Sequence, residues 1–185
     1  MRSIVLTFGL ILALAAPAAA QSPEPGRFSF GATGGFGQTW DDEGSIGKGW
    51  LVGGYAGVRI FRHTDVEFAV DWLEHDRSGG VFLAQGHTTF LSAALVQRFG
   101  SARTNGYVLG GMTAGIHDGT VGFAFDGPLH KTSGTHGGFV FGGGLSFPAG
   151  PVDIGPIVRI VLLGADSDSD PASAIMAGVR IGLRK

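Results

Sequence analysis

Imidazole, hydroxyl and carboxylate groups gather in a few stretches of this chain, and each stretch raises a chemical question. His75, His87, His117, His130 and His136 fall near Glu74, Asp76 and Asp118, with Ser78 and Ser133 close by. A serine, an imidazole and a carboxylate in mutual reach would support acyl transfer. Their spacing reproduces no catalytic motif, so they read as solvated polar groups and no catalytic residue is assigned. Asp166-Ser167-Asp168-Ser169-Asp170 copies the start of a calcium loop. Pro171 stands where that loop needs glycine, and Ala177 where it needs its closing glutamate, so the stretch reads as an acidic loop. Gly110-Gly111 and Gly142 to Gly144 are not phosphate loops, because no helical pattern follows them. Neither a metal nor a cofactor is expected.

A different set of charges stands inside apolar, alternating stretches: Arg59, Glu67, Asp71, Arg98, Asp153, Arg159 and Arg180. Charges placed there need partners, because an unpaired buried ion loses several kcal/mol of hydration. The elements that would carry them come from the overall pattern. The chain has 185 residues, 34 of them glycine, no cysteine, and a charged fraction of 15%. Without cysteine, a disulfide scaffold and a thiolate zinc site are both excluded. A net charge of -2 argues against a nucleic-acid binder. A 44% hydrophobic content with 14 phenylalanines argues against disorder.

Residues 1–20 read as a secretory signal peptide. Arg2 is the positive start, Ile4 to Ala16 the apolar core, and Ala18-Ala19-Ala20 the small-residue cleavage site. Residues 21–26 form a short extended segment, and 27–185 the folded domain.

From Phe28 onward the hydrophobic pattern has period two, the mark of strands. Eight stretches alternate: 28–40, 50–62, 66–75, 87–99, 104–117, 136–147, 152–164 and 173–184. One face carries Phe, Val, Ile and Leu; the other carries Gly, Ser, Thr and the seven charges. The facing of 104–117 stays open. Connections alternate in length. Four are long and polar (Asp41 to Gly49, Glu74 to Gly86, Asp118 to Thr135, Ala165 to Ala172), and three are short (His63 to Asp65, Gly100 to Arg103, Pro148 to Pro151). That is the layout of an up-and-down barrel with two distinct ends.

Three features put the apolar face outside. The seven charges share the small-residue face, where glycine makes room for large neighbours on a curved inner wall. Trp40, Trp50 and Trp72 fall beside the long connections, and Phe28, Phe99 and Phe147 beside the short turns, as two aromatic belts flanking an apolar band would. The long connections also carry ten acids against three bases.

Leader, glycine-rich alternating strands, strand count and loop asymmetry together resemble the small bacterial outer-membrane β-barrels, the outer membrane protein A-like and X-like group. The resemblance covers 27–185. It implies an all-β fold, a single closed eight-stranded antiparallel transmembrane barrel in the bacterial outer membrane after cleavage near Ala20. It implies outer-membrane lipid, lipopolysaccharide and the assembly machinery as partners, and a monomer. Members of the group usually end in an aromatic residue, whereas this chain ends Ile181-Gly182-Leu183-Arg184-Lys185. The expected function is structural or surface contact, without catalysis. Phe123, Phe125 and Leu129 in the longest loop are the candidate contact residues. Two alternatives stay open: a soluble exported lipocalin-like barrel holding a small apolar ligand, and an outer-membrane lipid-modifying enzyme.

Overall fold

The computed structural model describes residues 28–41, 44–79, 82–100, 105–123, 126–164 and 173–184. The expected signal peptide and the extended segment after it lie outside the described residues. Eight strands follow in order: β1 (Phe28–Asp41), β2 (Gly44–Phe61), β3 (Thr64–Gly79), β4 (Phe82–Gly100), β5 (Asn105–Phe123), β6 (Asp126–Ala149), β7 (Val152–Leu163) and β8 (Ser173–Arg184). Each pairs antiparallel with the next. β8 returns to β1, from Ser29↔Arg184 to Trp40↔Ser173, and closes the barrel. Closure satisfies the edge N–H and C=O groups internally, the condition for sheet to exist in lipid.

The alternation sets the two faces. Odd positions of β1, β2, β3, β5 and β7, and even positions of β4, β6 and β8, point into the lumen. The open question over β5 is thereby answered: Tyr107, Leu109 and Thr113 face inward, and Val108, Met112 and Ile116 outward. The outer wall exposes Phe36, Val52, Phe68, Val70, Leu91, Phe139, Ile160 and Val179. In water that arrangement would be unstable; in hydrocarbon each residue is where transfer free energy places it.

Glycine on the inner wall clears space for specific side chains. A Cβ on Gly53 would strike Asp71 Oδ1, one on Gly182 the Tyr55 hydroxyl, and one on Gly144 would lie 2.6 Å from the Tyr107 hydroxyl. Pro156 shows its missing donor in the ladder. The β6–β7 pairing runs to Gly144↔Ile157 and resumes at Phe147↔Ile154, skipping the positions opposite Gly155 and Pro156. Gly150, with φ of 68°, makes the left-handed turn between β6 and β7.

The long connections differ from expectation. Residues 44–49, 74–79, 82–86, 118–123 and 126–135 are strand, so three of the four predicted loops are protruding β-hairpins. β6 is 24 residues long, against about 9–11 needed to cross a bilayer. Its upper part pairs with β5 as far as Phe123↔Asp126, whereas its pairing with β7 begins only at Gly138↔Leu163. The physical reason is that beyond the apolar band the outer face of a strand is polar as well as the inner one. The hydrophobic alternation that marks a strand vanishes there while the ladder continues.

Candidate functional site

The lumen is built in tiers. At the short-turn end, Asp65 accepts from Arg59 Nε at 3.0 Å and from Arg98 Nε at 2.6 Å. The turn before β3 is tied to β4 by Arg98 N–H to His63 O at 2.8 Å and by Thr64 Oγ1 to Gln97 Oε1 at 2.8 Å. In the next tier Glu67 receives both Arg180 Nη1 at 3.1 Å and Nη2 at 2.5 Å, with Arg159 Nη2 at 3.5 Å. Arg159 Nη1 also donates to Asp71. The Arg180 guanidinium lies over the Tyr55 ring, 3.3 Å from its centroid, and 5.4 Å from that of Tyr107. These ion pairs join β3 to β7 and β8 across the lumen, so they brace the barrel in a direction the ladder does not.

All seven charges named from the sequence stand on the inner face. Asp153, also inward, lines a polar cavity of about 20 Å³ with Ser29, Tyr55, Arg98, Tyr107 and Arg180. That volume holds roughly one water. The inner wall thus carries four arginines against Asp65, Glu67, Asp71 and Asp153. Asp65 was grouped by sequence with the short turns; the structure puts it inside β3, buried between two arginines. Its odd position, shared with Glu67 and Asp71, was the signal that could have found it.

Above the charges the lumen is apolar. Leu51, Leu73, Phe90, Val140, Val161, Ala174 and Met176 form one cluster with Leu163 packed against it. Leu73 reaches β1, where a Cβ on Gly37 would sit 2.8 Å from its Cδ1, and Leu163 reaches Gly115 of β5 at 2.8 Å. Leu73 and Val161 have no solvent exposure and Phe90 has 1%. These side chains occupy the lumen at that level.

Beyond it, at the hairpin end, a chain of hydrogen bonds crosses four strands. His75 Nε2 lies 3.1 Å from Thr88 Oγ1, which lies 3.3 Å from His117 Nδ1; His117 Nε2 lies 3.4 Å from Thr132 Oγ1. The His75 and His117 rings are stacked, 5.0 Å between centroids. The sequence reading had these two as solvated polar groups at the long-loop end. They are instead inward-facing strand residues, with His75 4% exposed. His75 lies three residues past Trp72, outside the apolar band. Burial, then the imidazoles of His117 and His87, push its pKa down to about 4. Of the other three, His87 packs on Trp72 with 5.6 Å between rings, His130 is exposed and His136 half-buried. Among the described residues, no three His, Asp or Glu side chains stand close enough to hold a metal ion.

The aromatic residues named as belts face outward. Phe28, Phe99, Phe147, Trp50 and Trp72 are exposed, Trp40 is half-buried, and Trp50 packs on Phe36 at 4.1 Å. The candidate loop contacts change setting. Phe123 closes β5, paired with Phe82 and Asp126, and Leu129 belongs to β6. Phe125 lies outside the described residues, as do the side chains of Phe123 and Leu129. Phe123 and Leu129 thus stand in strands, not in an open loop.

A closed eight-stranded barrel, apolar outside and ion-paired inside, defines the class of small membrane-spanning β-barrels. The family model for the outer membrane protein beta-barrel domain matches residues 6–151, and the chain belongs to that family. Its location is accordingly the bacterial outer membrane. No curated protein matches the chain. Among solved structures, Neisserial surface protein A is similar at 16% identity and TM-score 0.66, covering 84% of this chain and 96% of that one. The attachment invasion locus protein Ail of Yersinia pestis, solved in complex with the heparin analogue sucrose octasulfate, is similar at 14% identity and TM-score 0.57. The match covers 86% of this chain and all (100%) of that one. OprG of Pseudomonas aeruginosa is similar at 12% identity and TM-score 0.56, covering 89% and 98%. At these identities the likeness is one of fold.

Proposed function

We propose that this chain is a non-conducting, non-enzymatic outer-membrane barrel that anchors a protruding β-sheet at the cell surface, with a structural or surface-contact role. One observation carries the reading: strands β2 to β6 continue past the lipid-spanning band as paired hairpins, above a lumen occupied by Leu51, Leu73, Phe90, Val140, Val161 and Met176. A pore would need an open lumen; a support needs a braced one.

In this reading Phe28, Phe99 and Phe147 lie at the periplasmic interface, and Trp40, Trp50 and Trp72 at the outer one, against lipid and lipopolysaccharide. The barrel is a monomer delivered by the assembly machinery after cleavage near Ala20. The tip around Phe123, Phe125 and Leu129 offers the contact surface. A soluble ligand-binding barrel is disfavoured, because the outer wall is lined with exposed large apolar side chains and those inside the lumen pack on one another. A lipid-modifying enzyme is disfavoured by the partners of the luminal imidazoles: His75 and His117 bond to threonine hydroxyls.

The test has two arms. The purified barrel in a planar bilayer should give no unitary current steps. Cells carrying a version with residues 121–128 replaced by a two-residue turn should keep the folded barrel in the outer membrane and adhere less to protein-coated surfaces. Regular current steps, or adhesion unchanged by that replacement, would each contradict the reading.

A further inference from the structure

The stacked imidazoles at the hairpin end have no part in anchoring the barrel or sealing it. Their geometry is specific. Thr88 on β4 stands between His75 on β3 and His117 on β5, and both ring nitrogens converge on its single hydroxyl. With both rings neutral, one nitrogen accepts the Thr88 proton while the other donates its own N–H to the Thr88 oxygen. The chain then continues to Thr132 on β6. It is complete without charge.

Among the described side chains, none beside the rings on the luminal side is a carboxylate. On the luminal side β2 presents Gly47, packed on His75, and β4 presents Gly86 beside the His75 ring. β5 adds Gly119 next to His117, and β7 and β8 contribute Leu163 and Ala174 below. β6 contributes Thr132 and a third imidazole, His136. The carboxylates nearby, Glu74, Asp76 and Asp118, occupy outward positions of β3 and β5, as do Lys48, His87 and Lys131 on their strands. The groups whose charge reaches His75 are His117 and His87; those reaching His117 are Asp118, His87 and His136. Four of these contacts are imidazole with imidazole, and one carboxylate opposes them from across the wall. Two imidazolium rings stacked at 5.0 Å would repel strongly in so sheltered a place.

We propose that the His75–Thr88–His117 cluster is an acid-sensitive latch that holds the protruding end of β3, β4 and β5 closed while its rings are neutral and loosens it when they take up protons. The leucine and phenylalanine layer below does not titrate, so the response is confined to the hairpins and the barrel stays shut. A surface sheet that is ordered near neutral pH and loosened in acid presents different backbone groups in the two states. The inference concerns conformation and stands whatever the hairpins contact.

Amide exchange of the folded barrel in detergent micelles tests it, read near pH 7.5 and near pH 4.5 after correction for intrinsic rates. Amides at 74–76, 86–89 and 116–119 should lose protection by on the order of tenfold in acid, while those flanking Leu73, Phe90 and Val161 toward the charged tier keep theirs. The pair His75→Phe and His117→Phe keeps stacked rings and removes the titration, so its upper-sheet protection should not change with pH. An equal acid loss in that variant overturns the proposal. A side-chain imidazole titration by NMR on the unaltered chain decides independently if the variant does not fold. Separate titration steps that track the loss of upper-sheet protection support the latch; both rings titrating together as ordinary exposed histidines overturn it.

Discussion

Replacing Glu67 by glutamine removes one charge and almost no volume from the centre of the lumen. Glu67 accepts both Arg180 guanidinium nitrogens, at 3.1 and 2.5 Å, and one from Arg159 at 3.5 Å. It is 3% exposed, and Arg159 and Arg180 are 3% and 7% exposed. In the variant the amide oxygen still accepts one N–H, but the amide nitrogen faces another donor. Asp71 is left to balance two arginines. Breaking a buried pair by removing one partner costs about 3–5 kcal/mol, because the surviving charge stays desolvated. We expect a loss near the lower end of that range, since Tyr55 keeps its place against Arg180, 3.3 Å from ring centroid to guanidinium carbon. The assay is equilibrium urea unfolding in micelles, followed by circular dichroism and by the mobility of unboiled samples. Pairing Glu67→Gln with Arg180→Met removes the uncompensated charge, so the double variant should be less destabilised than the two single losses added together. A single-variant loss under about 1 kcal/mol, or strict additivity in the double variant, would refute the claim that these charges brace the barrel.

Other consequences are as specific. Phe90→Ala empties the centre of the apolar luminal layer and should lower stability by about 3–5 kcal/mol in the same urea titration, with leak currents appearing that the unaltered barrel should lack. Val70→Arg puts a charge on the exposed outer wall in the middle of the apolar band and should cost about 2–4 kcal/mol, whereas Lys48→Glu, beyond that band, should change little. The depressed His75 pKa makes stability depend on pH. The neutral ring's contribution is complete above the unfolded value near 6.5 and is lost as pH falls toward about 4. Over that window the unaltered chain should lose about 3 kcal/mol more than His75→Phe, measured by urea unfolding at stepped pH.

The sequence carried the membrane-spanning part of the barrel through its alternation. Glu67 and Asp71 on one face with Val66, Phe68 and Val70 on the other state the polarity of β3 outright, and the same logic holds for Arg159 in β7 and Arg180 in β8. Which acid meets which base could not be read, because Arg180 and Glu67 are brought together by barrel curvature across the lumen and not by strand neighbourhood. The hairpin extensions were hidden for a different reason. Inward residues such as Thr132 and outward ones such as Ser133 and Thr135 are all polar, so nothing in their polarity distinguishes strand from loop. His75 and His117 were misplaced for that same reason, and the short polar inner wall of Gly47, Gly86 and Gly119 that admits them shows itself only in register. Asp65 was misassigned by its closeness to a turn, although its parity already matched the inner face.

The central claim is that the apolar wall faces lipid. Residues 21–185, unfolded in urea, would be diluted into buffer with and without detergent micelles, and the products compared by circular dichroism and by electrophoresis of boiled and unboiled samples. The account predicts a β spectrum and a shifted unboiled band with micelles, and aggregation without them. A folded, soluble monomer in plain buffer would contradict it, because the exposed Phe, Val, Ile and Leu of the outer wall could not then be exposed.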